Sequence, residues 1–355
     1  MPGEYYHPLY LTVVTILTFV LFSRYQKGNI PKSNDRKLLF LFAVIIALFI
    51  GFRPDWYGFT DSRNYIRSIE SLEGYDFSFN FDTDNVLFDN LLVWIGCNSL
   101  GWTLFFLIIA FIYFVGMWIA CNKMFPKDTF AAYLVCLAAF STFSYATNGI
   151  KAGAAASLFL IAIAYRDKKF ISLIFLLLSL GFHHSMVMPL AAYLFASLCK
   201  NPKIYFVLWF LSLLVAILHI TFFQNLFAGM TDEQGAGYLM SSGTGWGGKE
   251  GFRADFVIYS SMPVLVGWTA IFRKNIQSVK YNFILNIYLI TNSIWMLCMY
   301  ANFTNRIAYL SWSMYPIVLI YPFLNENFGN NRYRTFSYVM LLHLLFTLFM
   351  AIIYY

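Results

Sequence analysis

Apolar stretches of helical length recur from one end of the chain to the other, broken by short polar joints. A spanning helix needs about 20 apolar residues, and ~17 can suffice. Runs of this kind lie near Pro8–Phe22, Leu38–Phe52, Trp102–Ala120, Thr129–Ala146, Asn148–Tyr165, Phe170–Phe182, Met186–Leu198, Ile204–Phe223, Phe256–Phe272, Tyr281–Tyr300, Ile307–Leu324 and Thr335–Ile353. The pattern predicts an all-α polytopic membrane protein of about 12 transmembrane segments, the sixth and seventh of them short. Because the runs span the whole length, residues 1–355 read as one membrane domain rather than a soluble domain with an anchor.

Two polar breaks are long enough to fold. Residues 53–101 carry Asp55, Asp61, Glu70, Glu73, Asp76, Asp82, Asp84 and Asp89 among many aromatics. Within them "DSRNYIRSIESL" has helical periodicity with a cap-like Asp61 or Ser62, and "NVLFDNLLVWI" reads as an amphipathic helix lying at an interface. Residues 224–255 contain "SSGTGWGGKEGFRADF". Those glycines neither follow a strand nor open a helix, so they are not a nucleotide fingerprint. A loop that orders over a substrate is the reading they support.

Composition agrees with the pattern. The chain is 60% hydrophobic and 12% charged, beyond what a soluble core can hide. Five cysteines form no CxxC pair, so no metal or redox motif follows from them. The opening "MPGEYYH" has no Lys or Arg, which argues against a signal peptide. The net charge of +7 is explained by topology rather than by nucleic acid. Of the 24 Lys and Arg, all but Arg53, Arg63, Arg67, Lys151, Lys249, Arg253 and Arg306 fall on one side of the twelve-segment layout. That side takes only Asp35, Asp128, Asp167 and Glu326 among the acids, and the positive-inside rule makes it cytoplasmic.

The stretch "LGFHHSMVMPL" lies between Lys169 and Lys200, both on the cytoplasmic side. The chain must go out and return between them, yet Phe170 to His183 spans only about 21 Å of helix. The hydrocarbon core is ~30 Å thick. "HHS" is therefore the apex of a hairpin that stops short of the outer surface, where broken backbone must be buried in protein or line a wet cavity.

Cations on the outer side are scarce, and four of them sit at helix ends. Arg53 closes the second segment, Lys151 opens the fifth in "TNGIKAGAAASLFL", Arg253 precedes the ninth and Arg306 opens the eleventh. Gly149, Gly153 and the following alanines suit close helix contact. Together with His183 these cations could converge on an anion, and guanidinium forks match the oxygens of a diphosphate. Snorkelling of Lys151 and a local Arg253–Asp255 pair are the alternatives.

At these residues the sequence resembles the Wzy/EpsG family of bacterial polysaccharide polymerases. "FRPDWYGFTDSRNY", "TNGIKAGAAASLFL", "FHHSMVMPL", "GFRADFVIYSSMP" and "NRIAYLSW" run in the family's order. The carry-over falls on Arg53, Asp61, Tyr65, Asn148, Lys151, His183, Ser185, Arg253, Asp255 and Arg306, with Lys151 standing where the family usually has Arg. The resemblance implies a GT-C-like fold with two longer periplasmic loops, and an inverting, metal-independent glycosyl transfer without cofactor. Its substrates would be undecaprenyl-diphosphate-linked glycans at the periplasmic face of the bacterial inner membrane. Membrane lipids, a chain-length regulator and a flippase are the implied partners, and nucleic acid is not one. In that chemistry Arg53, Lys151, Arg253 and Arg306 would hold the diphosphate, Tyr65, Asn148, Ser185 and Asp255 would contact substrate, and His183 or Asp61 would be the base. Trp56, Tyr57, Tyr65 and Trp246 could stack on sugar faces. A transporter or flippase, an O-antigen ligase and a non-catalytic scaffold are the competing readings; a transporter would usually place its coupling charges near the midplane.

Overall fold

The computed structural model describes residues 1–27, 36–228, 237 and 251–354. Every regular element among them is helical. The chain divides into two compact units, one formed by Met1–His183 with Asn331–Tyr355 and the other by His184–Asn330.

The first unit holds α1 (Tyr6–Gln26), α2 (Arg36–Gly51), α3 (Thr60–Ser71), α4 (Val86–Cys97), α5 (Trp102–Met124), α6 (Thr129–Leu137), α7 (Phe140–Thr147), α8 (Ile150–Ala164) and α9 (Lys169–Phe182). The C-terminal helix (Arg332–Tyr354) completes it beside α1. At its centre is α8, which packs against α5 and α9 and is buried from Ala152 to Ile163. Its run of Ala, Gly and Ser lets backbones approach closely, as small residues do between membrane helices. Hydroxyls tie the three helices together. Ser157 Oγ reaches the carbonyls of Ile112 and Tyr113 on α5 at 3.0 and 2.8 Å, and Ser179 Oγ on α9 donates to Ala155 O at 2.7 Å.

The expected span Thr129–Ala146 is not one straight helix. It breaks between α6 and α7 with a bend of 70°. Ala139 is extended there (φ −69°, ψ 133°). A break strands helical carbonyls, and inside protein each needs a new donor. Here Val135 O receives His343 Nε2 (3.1 Å), Cys136 O receives Thr142 Oγ1 (2.7 Å), Leu137 O receives Tyr10 OH (2.7 Å) and Ala138 O receives Thr347 Oγ1 (2.6 Å). Three of the four donors come from α1 and the C-terminal helix, so the break is paired by tertiary contacts that the local sequence does not contain.

The second unit comprises α10 (Val187–Leu198), α11 (Pro202–Ile217), α12 (Phe222–Ala228), α13 (Ala254–Trp268), α14 (Val279–Leu297), α15 (Thr304–Trp312) and α16 (Tyr315–Asn325). Two helix starts follow sequence rules. Asn201 caps α11 by accepting from Lys203 N–H, with Pro202 in its first turn, and Ser278 caps α14 by accepting from Tyr281 N–H. Central α14 touches α10, α11, α13, α15 and α16. Its buried polar side chains are satisfied in part across helices: Trp209 Nε1 donates to Asn292 Oδ1 (2.8 Å), and Asn292 Nδ2 donates to Ser311 Oγ (3.0 Å).

Among the described residues five helices are long and apolar enough to cross a membrane: Gly3–Gln26, Trp102–Met124, Ala254–Arg273, Thr304–Asn325 and Arg332–Ile353. The bent α6–α7 pair makes a sixth if counted as one span. The second, fifth, sixth, seventh and eighth expected segments are apolar helices of at most 17 residues. The tenth lies in α14. The chain is thus a polytopic membrane protein, all-helical among the described residues, with five or six long spans there by length and composition.

Candidate functional site

In the first unit the candidate residues gather where α2, α3, α5 and α7 end or begin. Arg53 follows the last turn of α2. Its Nε and Nη2 donate to Ser62 Oγ at 3.2 and 2.9 Å, and its Nη1 donates to Ile50 O at 3.1 Å. The guanidinium carbon lies 3.8 Å from the centre of the Phe106 ring. Ser62 Oγ in turn donates to Thr147 O at the end of α7. The side chain is buried, with Arg53 2% exposed. Desolvation pulls its pKa down to about 9, against which the Tyr6 phenol pushes upward. Arg53 therefore ties four elements together from inside rather than presenting its fork at a surface. Neither Asp61 nor Ser62 is a helix cap: both lie inside α3, whose N-cap is Phe59 with no side-chain cap bond, and the Ser62 hydroxyl is engaged by Arg53 and Thr147.

Asp61 and Tyr65 lie one turn apart on α3, both half-buried and on one face. The Tyr65 ring meets Phe88 edge-on at 5.4 Å. Phe88 continues to Phe105 at 5.3 Å and to Phe182 at 6.5 Å, the residue before His183. Tyr65 is thereby part of an aromatic cluster. Of the other aromatics proposed for sugar stacking, Trp56 packs near Phe59 at 5.0 Å, whereas Tyr57 is 73% exposed. Trp246, and most of the glycine-rich segment 224–255, lie outside the described residues.

At the joint of α7 and α8, Asn148 ends one helix and Gly149 opens the next. Lys151 is in the first turn of α8 and half-buried. Asn148 Oδ1 is buried without a hydrogen-bond partner among the described residues, an acceptor suited to a hydroxyl donor. Gly153 is required by contact: a Cβ there would stand 2.5 Å from Tyr145 O.

His183 ends α9. Its backbone is extended (φ −154°, ψ 117°), and its N–H still donates to Ser179 O at 3.1 Å. Two contacts hold this end of α9 on α4. Gly181 approaches Leu87 so closely that a Cβ would lie 2.7 Å from its side chain, and Phe182 faces Phe88. His183 Nδ1 then lies 3.3 Å from Oδ1 of Asn85. Asn85 is the N-cap of α4 and is buried. Sequence reading missed it. An Asn before an apolar helix normally announces a cap, and nothing local shows that its side chain turns to a residue 98 positions later.

In the second unit the chain resumes as a 3-10 turn, His184–Met186, in which Ser185 is buried, and leads into α10. The expected hairpin arms, α9 and α10, thus belong to different units. Arg253 is the N-cap of α13 and 8% exposed. Its Nε and Nη2 fork onto Asp255 at 3.0 and 2.7 Å, and it stacks over Phe256 at 3.6 Å. The local pair weighed as the alternative for Arg253 is therefore formed. Arg306 sits in the first turn of α15, half-buried, behind Phe303, whose φ of 50° is left-handed. An aromatic residue rarely adopts that conformation. Arg306 N–H donates to Phe303 O at 2.8 Å, and its guanidinium lies 5.3 Å from the Phe303 ring.

A family model, that of the EpsG family, matches residues 36–355. The chain belongs to the EpsG family. That family is associated with polysaccharide polymerases, and at this level the chain is a membrane protein of polysaccharide biosynthesis. Neither a curated protein nor a solved structure matches it. Its candidate residues in the first unit lie at or beyond the ends of α2, α7, α8 and α9 and on α3. Asn85 and Ser62 are added to that set as the side chains that hold His183 and Arg53.

Proposed function

We propose that this EpsG-family chain is a polysaccharide repeat-unit polymerase that moves a glycan from undecaprenyl diphosphate onto the sugar hydroxyl of a lipid-linked repeat-unit acceptor. The transfer is inverting and metal-independent, on a GT-C-like scaffold in the bacterial inner membrane with the site facing the periplasm. The observation that carries the reading is the family match over residues 36–355. The held ring of His183 adds a chemical group able to do the work. The acceptor oxygen attacks the anomeric carbon and the bond from that carbon to the diphosphate oxygen breaks, its electron pair leaving with the diphosphate. The hydroxyl proton goes to His183, a side-chain type whose basicity suits neutral pH; Asp61 is the alternative base. Arg253, Arg306 and Lys151 would offset charge developing on the leaving diphosphate. Arg53 serves as an internal tie, and Tyr65, Asn148, Ser185 and Asp255 shape the surroundings of substrate. A chain-length regulator and a flippase are the protein partners this role calls for.

The test is complementation of a polymerase-null strain, read as a polysaccharide ladder on a gel. Wild type should restore the ladder. His183→Ala should lose at least about 10²-fold in rate, the low end for removal of a general base, and His184→Ala should lose little. A dead Asp61→Asn beside an active His183→Ala would move the base to Asp61. Transport of unpolymerised lipid-linked glycan without any ladder would favour the transporter reading instead.

A further inference from the structure

The tautomer of a catalytic imidazole is decided by the hydrogen bond made at its other nitrogen. In this protein that bond is made by a residue with a competing use. Asn is a preferred N-cap because its side-chain oxygen accepts from the first free N–H groups of the helix. Asn85 occupies the N-cap of α4 but makes no such bond. Its backbone N–H instead donates to Asp89 Oδ2 at 3.2 Å, one turn into the helix. That contact helps fix the residue while its Oδ1 lies 3.3 Å from His183 Nδ1. The end of α9 packs on the same helix α4, with Gly181 close to Leu87 and Phe182 edge-on to Phe88. An amide oxygen can only accept, so the nitrogen facing it must carry the proton.

We propose that Asn85 is a positioning residue that holds neutral His183 in the Nδ1–H tautomer and so makes Nε2 the basic nitrogen. The assignment of tautomer stands on geometry alone; its catalytic meaning rests on the reading of His183 as the base. In that reading the acceptor hydroxyl delivers its proton to Nε2 while Nδ1–H remains on Asn85, and no ring rotation or proton relocation is needed before the step. The arrangement is the amide counterpart of a carboxylate that orients a catalytic histidine.

The experiment is nitrogen NMR of the full-length protein in detergent with 15N-labelled histidine, at a pH where the rings are neutral. Five histidines contribute, and the His183 signals are those lost in His183→Gln. The expected wild-type spectrum shows a protonated, pyrrole-type Nδ1 and an unprotonated, pyridine-type Nε2 for His183. Asn85→Ala should move the ring toward the Nε2–H form that a free histidine side chain prefers, and Asn85→Asp, an acceptor only, should keep Nδ1–H. In polymerisation assays Asn85→Ala should lower kcat by at least about tenfold with KM nearly unchanged, and Asn85→Asp should recover most of it. A pyrrole-type Nε2 in the wild-type protein overturns the proposal without recourse to any variant, as does an Asn85→Ala spectrum identical to wild type. Retained activity in His183→Ala, with the wild-type spectrum as expected, would remove the base reading and leave the tautomer assignment standing.

Discussion

The tripeptide Gly-Phe-Arg followed by any residue and Asp occurs twice, as "GFRPD" at 51–55 and "GFRAD" at 251–255. The two copies, one in each unit, fold differently. In the first, Arg53 turns inward onto Ser62 and Ile50 O, and Asp55 goes to another partner, Arg63, at 3.0 Å. In the second, Arg253 and Asp255 close on each other. The residue between accounts for much of the difference. Pro54 lacks an N–H and biases Arg53 toward extended backbone, so the chain leaves α2 and Asp55 is carried outward. Ala254 instead starts α13, which puts Asp255 in the first helical turn where a carboxylate is favoured. The buried cation of the first copy is thus held by neutral groups and an aromatic face, and that of the second by a carboxylate. Burying a charge without a counter-ion is costly, so Arg53 depends on its surroundings far more than Arg253 does.

The largest effects should separate the two copies by kind. Arg253→Ala and Arg306→Ala should each abolish polymer while immunoblots show normal protein in the membrane; a normal ladder from both variants would end the diphosphate assignment. Arg53→Ala should instead remove protein, losing about 2–4 kcal/mol of stability through a cavity and unmade hydrogen bonds. Thermal melting in detergent reads this, and an Arg53→Ala protein that melts like wild type but makes no polymer would return Arg53 to the substrate.

The glycines should differ next. A Cβ on Gly51 would stand 2.9 Å from Leu107 Cα, where backbone must shift, so Gly51→Ala should cost about 1–3 kcal/mol. Among the described residues no atom lies within 4 Å of a Cβ on Gly251, but its φ is +97°, so Gly251→Ala should cost about 1 kcal/mol through backbone strain. Equal melting shifts would mean that the contact on α5 relaxes freely. The smallest effect belongs to the exposed pair: Asp55→Asn should change stability by under about 1 kcal/mol. A larger shift on the same melting curve would show that Asp55, and not Pro54, orders the first turn.

Much of the architecture was readable beforehand because it depends on local composition. Apolar runs marked where α5, α8 and the C-terminal helix lie, and the adjacent histidines marked a helix break that is present at His183. The small residues after Gly149 announced the close contacts of α8 with its neighbours. Less was legible at the candidate site. Arg53 counts as an outer-side cation because it closes the second apolar run, yet its guanidinium is taken up by Ser62, whose hydroxyl also reaches Thr147 O. The span 129–146 read as one helix since nothing between Leu137 and Phe140 is a helix breaker. Its break persists because Tyr10, His343 and Thr347, remote in sequence, supply donors to the stranded carbonyls.

By itself the sequence determined that this chain is an apolar, helical membrane protein of the EpsG family, because hydropathy is a property of short windows and motif order is a property of the chain. Only the tertiary structure decided that Asn85 faces His183 instead of capping its own helix, and that two near-identical Arg-x-Asp segments use their cations differently. A side chain chooses among hydrogen-bond partners by what lies within about 3 Å of it, and that distance is set by how helices pack, not by which residues adjoin in the chain.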